Sequence, residues 1–279
     1  DDIFLAYPLW LTPRKAARLQ ALAPRARVGM GVDSVAGIQQ AAKTLGTTTI
    51  EFMIEVDSGH HRSGIDPHQV VPLAQALADH DLALRGVFTY PGHSYQPDTK
   101  DDASQDEVTA LTIATSALES AGFEVLERSG GSTPSLHSTQ SFLTETRAGV
   151  YALGDAQQLE LGGMDMDDVA LSVVTTVVSA RGQTVVVDAG SKIMGADKAS
   201  WASGHGRVLG HSDARIVAMS EHHATVVFSD SEPAPRCGDI IQVIPNHVCN
   251  AVNLVDSVLV KRARKPVQVW PVAARGKNS

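Results

Sequence analysis

Cysteine is nearly missing from these 279 residues. Only Cys237 and Cys249 occur, too few for a disulfide framework, so both thiols are expected free in a reducing, cytoplasmic setting. Long apolar runs are missing as well: no stretch of about eighteen apolar residues could span a bilayer, and no basic-then-apolar leader precedes the first strand-like residues. No membrane association is expected. Basic excess is also lacking. A formal charge of -8 and a pI near 5.7 leave no positive face for a phosphate backbone, which argues against a nucleic-acid partner.

What is present is a hydrophobic content of 43%, enough over this length for one large α/β domain or two domains. Up to about residue 155, short apolar runs alternate with amphipathic stretches, which reads as βα repetition and a parallel sheet. Strands are expected at residues 3–7, 26–31, 50–57, 84–90, 125–129 and 147–153. Helices are expected at 34–45, after a cap at Asp33, and at 67–80 and 103–121. Six strands suit an open doubly wound sheet, or a (β/α)8 barrel short of two. After about residue 165 the helices are expected to stop. β-branched runs at 169–178, 184–188, 215–219, 224–228, 240–244, 257–261 and 267–272 predict an antiparallel sheet or small barrel. Residues 190–208, with Gly195, Gly204, His205 and Gly206, show no regular pattern and read as a long functional or mobile loop.

Chemistry-bearing residues gather at the carboxyl ends of the expected α/β strands, where such proteins keep their sites. Asp57-Ser58-Gly59-His60-His61-Arg62-Ser63-Gly64 ends one strand, and its arginine can hold a ring nitrogen or carboxylate or simply pair with a surface acid. Tyr90-Pro91-Gly92-His93-Ser94-Tyr95 ends the next. Gly130-Gly131-Ser132-Thr133-Pro134-Ser135 offers amides and hydroxyls to a phosphate; it has neither the Gly-Lys-Ser/Thr of a Walker loop nor G-x-G-x-x-G spacing, and alone reads as an ordinary loop. Arg147-Ala148-Gly149-Val150-Tyr151 adds a close-approach glycine and a phenol. In the second half, residues 244–254 form a β-like run in which His247 and Cys249 are expected to share a strand face, both donors that suit zinc. Spacing alone favours a buried cysteine beside an ordinary histidine, because a catalytic zinc usually has about three protein ligands.

Taken in order, these motifs resemble the D-serine dehydratase and D-threonine aldolase family, pyridoxal-phosphate enzymes with the alanine-racemase-like barrel of fold type III. The resemblance rests on Leu5-Ala6-Tyr7-Pro8-Leu9, Asp57-x-Gly59 with Arg62, Tyr90 with Gly92-His93-Ser94-Tyr95, Gly131-Ser132-Thr133-Pro134 and Arg147-x-Gly149-x-Tyr151. It continues through Asp188-Ala189-Gly190, Gly204-x-Gly206-Arg207-Val208, Ser220-Glu221, Pro245-Asn246-His247-x-Cys249 and Trp270-Pro271-Val272. It implies an α/β chain: a TIM-type (β/α)8 barrel lacking its first strands over residues 1–158, then an antiparallel β domain over 159–279.

By the same resemblance, Arg62 faces the pyridine nitrogen, and Tyr90, Ser132, Thr133, Gly149 and Tyr151 contact the cofactor's phosphate and ring. His247 and Cys249 are the zinc pair. The aldolase branch usually carries aspartate at the position of Cys249, so the implied activity is zinc-dependent β-elimination of D-serine to pyruvate and ammonia. A D-threonine aldolase and a non-catalytic pyridoxal-phosphate-binding relative are the alternatives. The family's Schiff-base lysine stands upstream of the Ala-Tyr-Pro strand, and none of the eight lysines here has that context, so the sequence reads as an N-terminally truncated, inactive copy. His222 also departs from the family, which often has an acid there. A small D-amino acid substrate and a homodimer are further expectations of the resemblance.

Overall fold

The computed structural model describes residues 1–136, 142–262 and 265–277. The chain forms two compact units, Asp1–Ala148 and Gly149–Ser279.

The first unit is a six-stranded parallel sheet of β1 (Asp2–Pro8), β2 (Arg27–Val32), β3 (Glu51–Glu55), β4 (Ala83–Phe88), β5 (Glu127–Gly130) and β6 (Glu145–Thr146). The strands follow one another in sequential order β1 to β6, without the reversal that marks a doubly wound sheet. This decides between the two expected architectures in favour of the barrel type. Helices α1 (Pro13–Leu22), α2 (Val35–Leu45), α3 (Val70–Asp79) and α4 (Lys100–Ser120) connect the strands. Thr12 caps α1 by accepting from the Lys15 amide, and Ser34, rather than the expected Asp33, caps α2 by accepting from Gly37. α4 turns Ala103, Glu107, Ala110, Leu111, Ala114 and Leu118 inward at helical spacing. These faces bury Met30, Ile38, Phe52, Ile54, Leu77 and Leu111 in one core.

Charge ties together the amino ends of the strands. Buried Arg85 donates twice to Asp2 at 2.9 Å and pairs with Glu127 at 2.6 Å, while Arg27 pairs with Glu51 at 2.7 Å. The carboxyl ends remain for a binding site.

In the second unit β7 (Val173–Arg181), β8 (Thr184–Val187), β9 (Gly206–Val208), β10 (His211–Met219), β11 (Ala224–Val227) and β12 (Ile240–Pro245) close an antiparallel barrel in the order β10-β11-β8-β7-β12-β9. Val185, Val187, Val208, Ile216, Val226 and Val243 fill it. β13 (Ser257–Val260) and β14 (Gln268–Pro271) pair as a separate hairpin.

Three expectations need correction here. Helices do not stop after residue 165: α6 (Ser191–Met194) and α7 (Val248–Asn253) follow the short α5 (Ala156–Glu160). Residues 190–208 are not patternless, since they carry α6 and β9, the strand that closes the barrel. The expected strand at 147–153 ends at Thr146, and residues Val150–Ala152 make a single 3-10 turn. Among the described residues no helix is long and apolar enough to cross a membrane.

Candidate functional site

In the first unit the loops leaving β3, β4, β5 and β6 are stitched to one another. Thr89, just past β4, donates to the Ser58 hydroxyl of the β3 loop at 2.9 Å. Ser94, four residues past Tyr90, lies 2.8 Å from Ser132 of the β5 loop, hydroxyl to hydroxyl. Arg147, just past β6, donates through Nε to Ser129 at 2.8 Å and through Nη2 to the Thr89 carbonyl, and its guanidinium stacks near the Phe88 and Phe4 rings. Burial pulls Arg147 below the ordinary arginine value, and the charges of Glu145, Glu107 and Glu55 oppose that.

The β3 loop is built around Asp57. Its Oδ1 accepts from the amides of Gly59 (2.9 Å) and His61 (3.0 Å), and its Oδ2 lies 2.7 Å from His61 Nδ1. Burial would raise this carboxyl, yet the two amide bonds together with the hydrogen bond and charge of the His61 ring outweigh it and hold the group below its ordinary value. The fold of this loop brings Arg62 over the Tyr90 ring at 5.0 Å, while His60 meets the same ring edge-on at 5.5 Å. Burial, then the charge of Arg62, lowers the pKa of His60. Arg62, Tyr90, His60, Ser63 and Glu55 line a recess. Glu55 Oε2 is buried there without a hydrogen-bond partner among the described residues, and burial raises that carboxyl.

Two of the expected cofactor residues, Arg62 and Tyr90, are therefore in contact. Ser132 and Thr133 follow β5 and are both buried, at 1% and 5% exposure. The Ser132 hydroxyl also reaches Ser135 at 2.9 Å. Part of this loop's donor capacity is turned inward: the Gly131 amide binds Glu107 of α4 at 2.6 Å, and the Ser132 amide binds Ser135. Burial lifts Glu107 to about 7 against the pull of Gly131 and Arg147. What remains is a tight cluster of buried hydroxyls beside an arginine–tyrosine recess, a donor set that fits a flat aromatic phosphate ester such as pyridoxal phosphate. Gly149 and Tyr151 belong to the second unit, where both are exposed.

His247 and Cys249 are not on a strand. β12 ends at Pro245, His247 stands in extended conformation at the mouth of α7, and Cys249 is in that helix's first turn. Their alternation along a strand was the wrong reason for a correct proximity: the imidazole still interacts with the Cys249 side chain. That contact first, and Asp197 after it, push His247 up to about 9 in spite of burial. Asp197 Oδ2 lies 2.5 Å from His247 Nδ1. Among the described residues no three His, Cys, Asp or Glu side chains form a metal-holding group. An imidazole and a thiol with a carboxylate behind the imidazole nevertheless fit a borderline-soft ion such as zinc whose other positions are left to water or substrate.

Sequence reasoning passed over Glu55, Glu107, Asp155 and Asp197. Asp155 is buried and caps twice, accepting from Gln158 of α5 at 3.0 Å and from Val248 of α7 at 3.2 Å. A Glu at a core position of α4 is the one signal that stood in the sequence, because a carboxylate on an otherwise apolar helix face demands a partner.

Residues 7–157 match the family described as alanine racemase, N-terminal domain, and residues 170–261 match the putative serine dehydratase domain. An uncharacterized protein of Mycobacterium tuberculosis is 54% identical over 131 residues, 45% of this chain and 98% of that protein. The 3-hydroxy-D-aspartate aldolase of Paracoccus denitrificans is 30% identical over 287 residues, covering 95% of this chain and 72% of the aldolase. Among solved structures, D-threo-3-hydroxyaspartate dehydratase from Delftia matches with a TM-score of 0.83 at 27% identity, over 95% of this chain and 77% of that one. A histidine mutant and a cysteine mutant of a dehydratase of that name, altered two positions apart, match as well, the cysteine mutant in a metal-free form.

Proposed function

The chain belongs to the alanine-racemase-like family of pyridoxal-phosphate-dependent D-amino-acid lyases, and from that premise we propose that its reaction is a zinc-assisted D-serine dehydration giving pyruvate and ammonia. Pyridoxal phosphate, when bound, supplies an electron sink for the pair left behind by the α-proton. His247 and Cys249 would hold zinc, which would supply Lewis-acid help to the departing β-hydroxyl. Arg62 would face the pyridine nitrogen, where its permanent charge would keep that nitrogen free of a proton. Tyr90 packs at the ring, its own orientation fixed by Arg62 and His60. Ser132 and Thr133 would donate hydroxyls to the phosphate, Ser132 being held by Ser94 and Ser135. Lys15, Lys43 and Lys100 of the first unit stand on α1, α2 and α4, respectively.

The observation that carries this reading is the thiol of Cys249 beside His247 at the mouth of α7. A thiolate in place of a carboxylate selects a softer ion. The relative altered at a histidine and a cysteine two positions apart is a dehydratase, which supports elimination over carbon–carbon cleavage. The test is a product assay on the protein in the longest form its gene encodes, with pyridoxal phosphate, offering D-serine and D-threonine with and without chelator. Pyruvate and ammonia from D-serine, lost on chelation and restored by zinc, is the expected result. Glycine and acetaldehyde from D-threonine would assign the chain to the aldolases. Cofactor binding without either product would mark a non-catalytic relative.

A further inference from the structure

We propose that Asp197 is the positioning residue of the metal ligand His247: it takes the proton on Nδ1 as a hydrogen bond and so presents Nε2 to the ion. This rests on reading His247 and Cys249 as the metal pair. The backbone on either side of His247 is already fixed by buried side chains. Asn246 Nδ2 donates to the Gly204 carbonyl at 2.9 Å, and Asp155 accepts from the Val248 amide at 3.2 Å. These contacts place the Cα of His247 and leave its ring free to turn about its side-chain bonds. The 2.5 Å contact from Asp197 Oδ2 to Nδ1 removes that freedom.

Asp197 is itself held close to α7. It follows α6, whose end is marked by Gly195 at φ +80. A Cβ at Gly195 would lie 3.1 Å from Asp197 Oδ1 and 3.1 Å from the Asn250 Cβ, so glycine lets this loop lie against the helix that carries Cys249. Asp197 Oδ1 is buried and has no hydrogen-bond partner among the described residues, so the His247 contact carries most of this carboxylate's stabilisation. A cation on Nε2 withdraws electron density from the ring and makes Nδ1–H a stronger donor to Asp197. The carboxylate therefore favours the metal-bound ring over the free one. An ordinary half-exposed ion pair has no such coupling to a metal and contributes little.

The experiment measures zinc affinity of the whole chain by competition with a chromophoric chelator, for the native protein, Asp197→Ala, Asp197→Asn and His247→Ala. The ring nitrogens of His247 are followed by 15N NMR in the zinc-loaded state. Asp197→Ala is expected to weaken zinc binding about 10- to 100-fold, the range for loss of such an outer partner. Asp197→Asn, which retains an acceptor oxygen, is expected to fall between it and the native protein, with the metal-free melting temperature little changed in both. The native ring is expected to carry zinc on Nε2 and the proton on Nδ1, and Asp197→Ala to show a mixture. If His247→Ala loses zinc while Asp197→Ala binds it as the native protein does, with unchanged ring signals, the positioning role is overturned and the metal pair stands. If the native protein and His247→Ala bind zinc equally poorly, the metal pair is overturned and the positioning role with it.

Discussion

Glu107 Oε1 accepts a 2.6 Å hydrogen bond from the Gly131 amide, so an acid on the buried face of α4 anchors the glycine-serine loop that follows β5. Burial raises this carboxyl from the ordinary 4.5 to about 7. Its folded form thus holds a proton that the unfolded chain releases at lower pH. The resulting stability is present in full below about 4.5 and is lost as pH rises through about 7. Glu107→Gln keeps the acceptor and removes the titration. Relative to the native protein, it is expected to gain stability between pH 5 and pH 8, by on the order of 3 kcal/mol at most. Urea unfolding at several pH values checks this; a constant difference between the two proteins across that window would overturn it.

The same anchor explains why residue 130 is glycine. A Cβ there would sit 2.2 Å from Glu107 Oε1 and 3.3 Å from the Leu143 side chain. Gly130→Ala is expected to destabilise the first unit by about 1–3 kcal/mol, the range for overpacking a filled interior. Because the clash is with one carboxylate, adding Glu107→Ala should relieve part of it. A double-mutant cycle by denaturant unfolding should show coupling on the order of 1 kcal/mol, whereas simple additivity would place the strain elsewhere.

Legibility in the sequence followed the physics of each half. Parallel strands with most residues buried read as apolar runs, so β2, β3 and β4 stood out, and the sequential strand order makes them part of a barrel-type sheet. β9 was hidden because its centre is Arg207, a buried residue that looks like loop until its ion-pair partner Glu160 is seen. The closeness of His247 and Cys249 was legible, but the geometry behind it was not, since a run of Val, Cys, Ala and Leu suits a short helix as well as a strand. Arg62 and Tyr90 were legible from their places after strands. Asp197 was not, because it acts on a residue 50 positions away and no local pattern announces such a contact; the cap of Asp155 on Gln158 is local, but its second bond, to the Val248 amide, is as distant and equally hidden.

Arg207, buried at 3% exposure, forms an ion pair with the half-buried Glu160, and Ser203 completes it from both sides by donating its amide to Glu160 at 2.9 Å and accepting from Arg207 Nη2 at 2.9 Å. Removing one charge strands the other in a low dielectric. Glu160→Ala is expected to cost about 3–5 kcal/mol, while Glu160→Leu with Arg207→Met, which removes both charges, should recover much of it. Thermal unfolding of the three variants checks this. A Glu160→Ala protein as stable as the native one would show that water reaches the pair.

Cys249→Asp tests how far one donor atom sets the metal. The exchange keeps a short side chain at the first turn of α7 and leaves His247 and its partner Asp197 in place. Sulfur is soft and carboxylate oxygen is hard, so the exchange removes zinc's advantage and leaves manganese nearly unaffected. Zinc still binds more tightly than manganese to most nitrogen and oxygen sites, so the expected result is a narrower preference rather than an inverted one. The ratio of zinc to manganese affinity, from chelator competition, should fall at least about tenfold, or roughly 1.4 kcal/mol. The manganese affinity should hold or rise. If both affinities fall together, the aspartate has not reached the ion and the position demands more than a donor of the right class. If neither changes, Cys249 does not ligate the metal, and the thiol's place beside His247 has another cause.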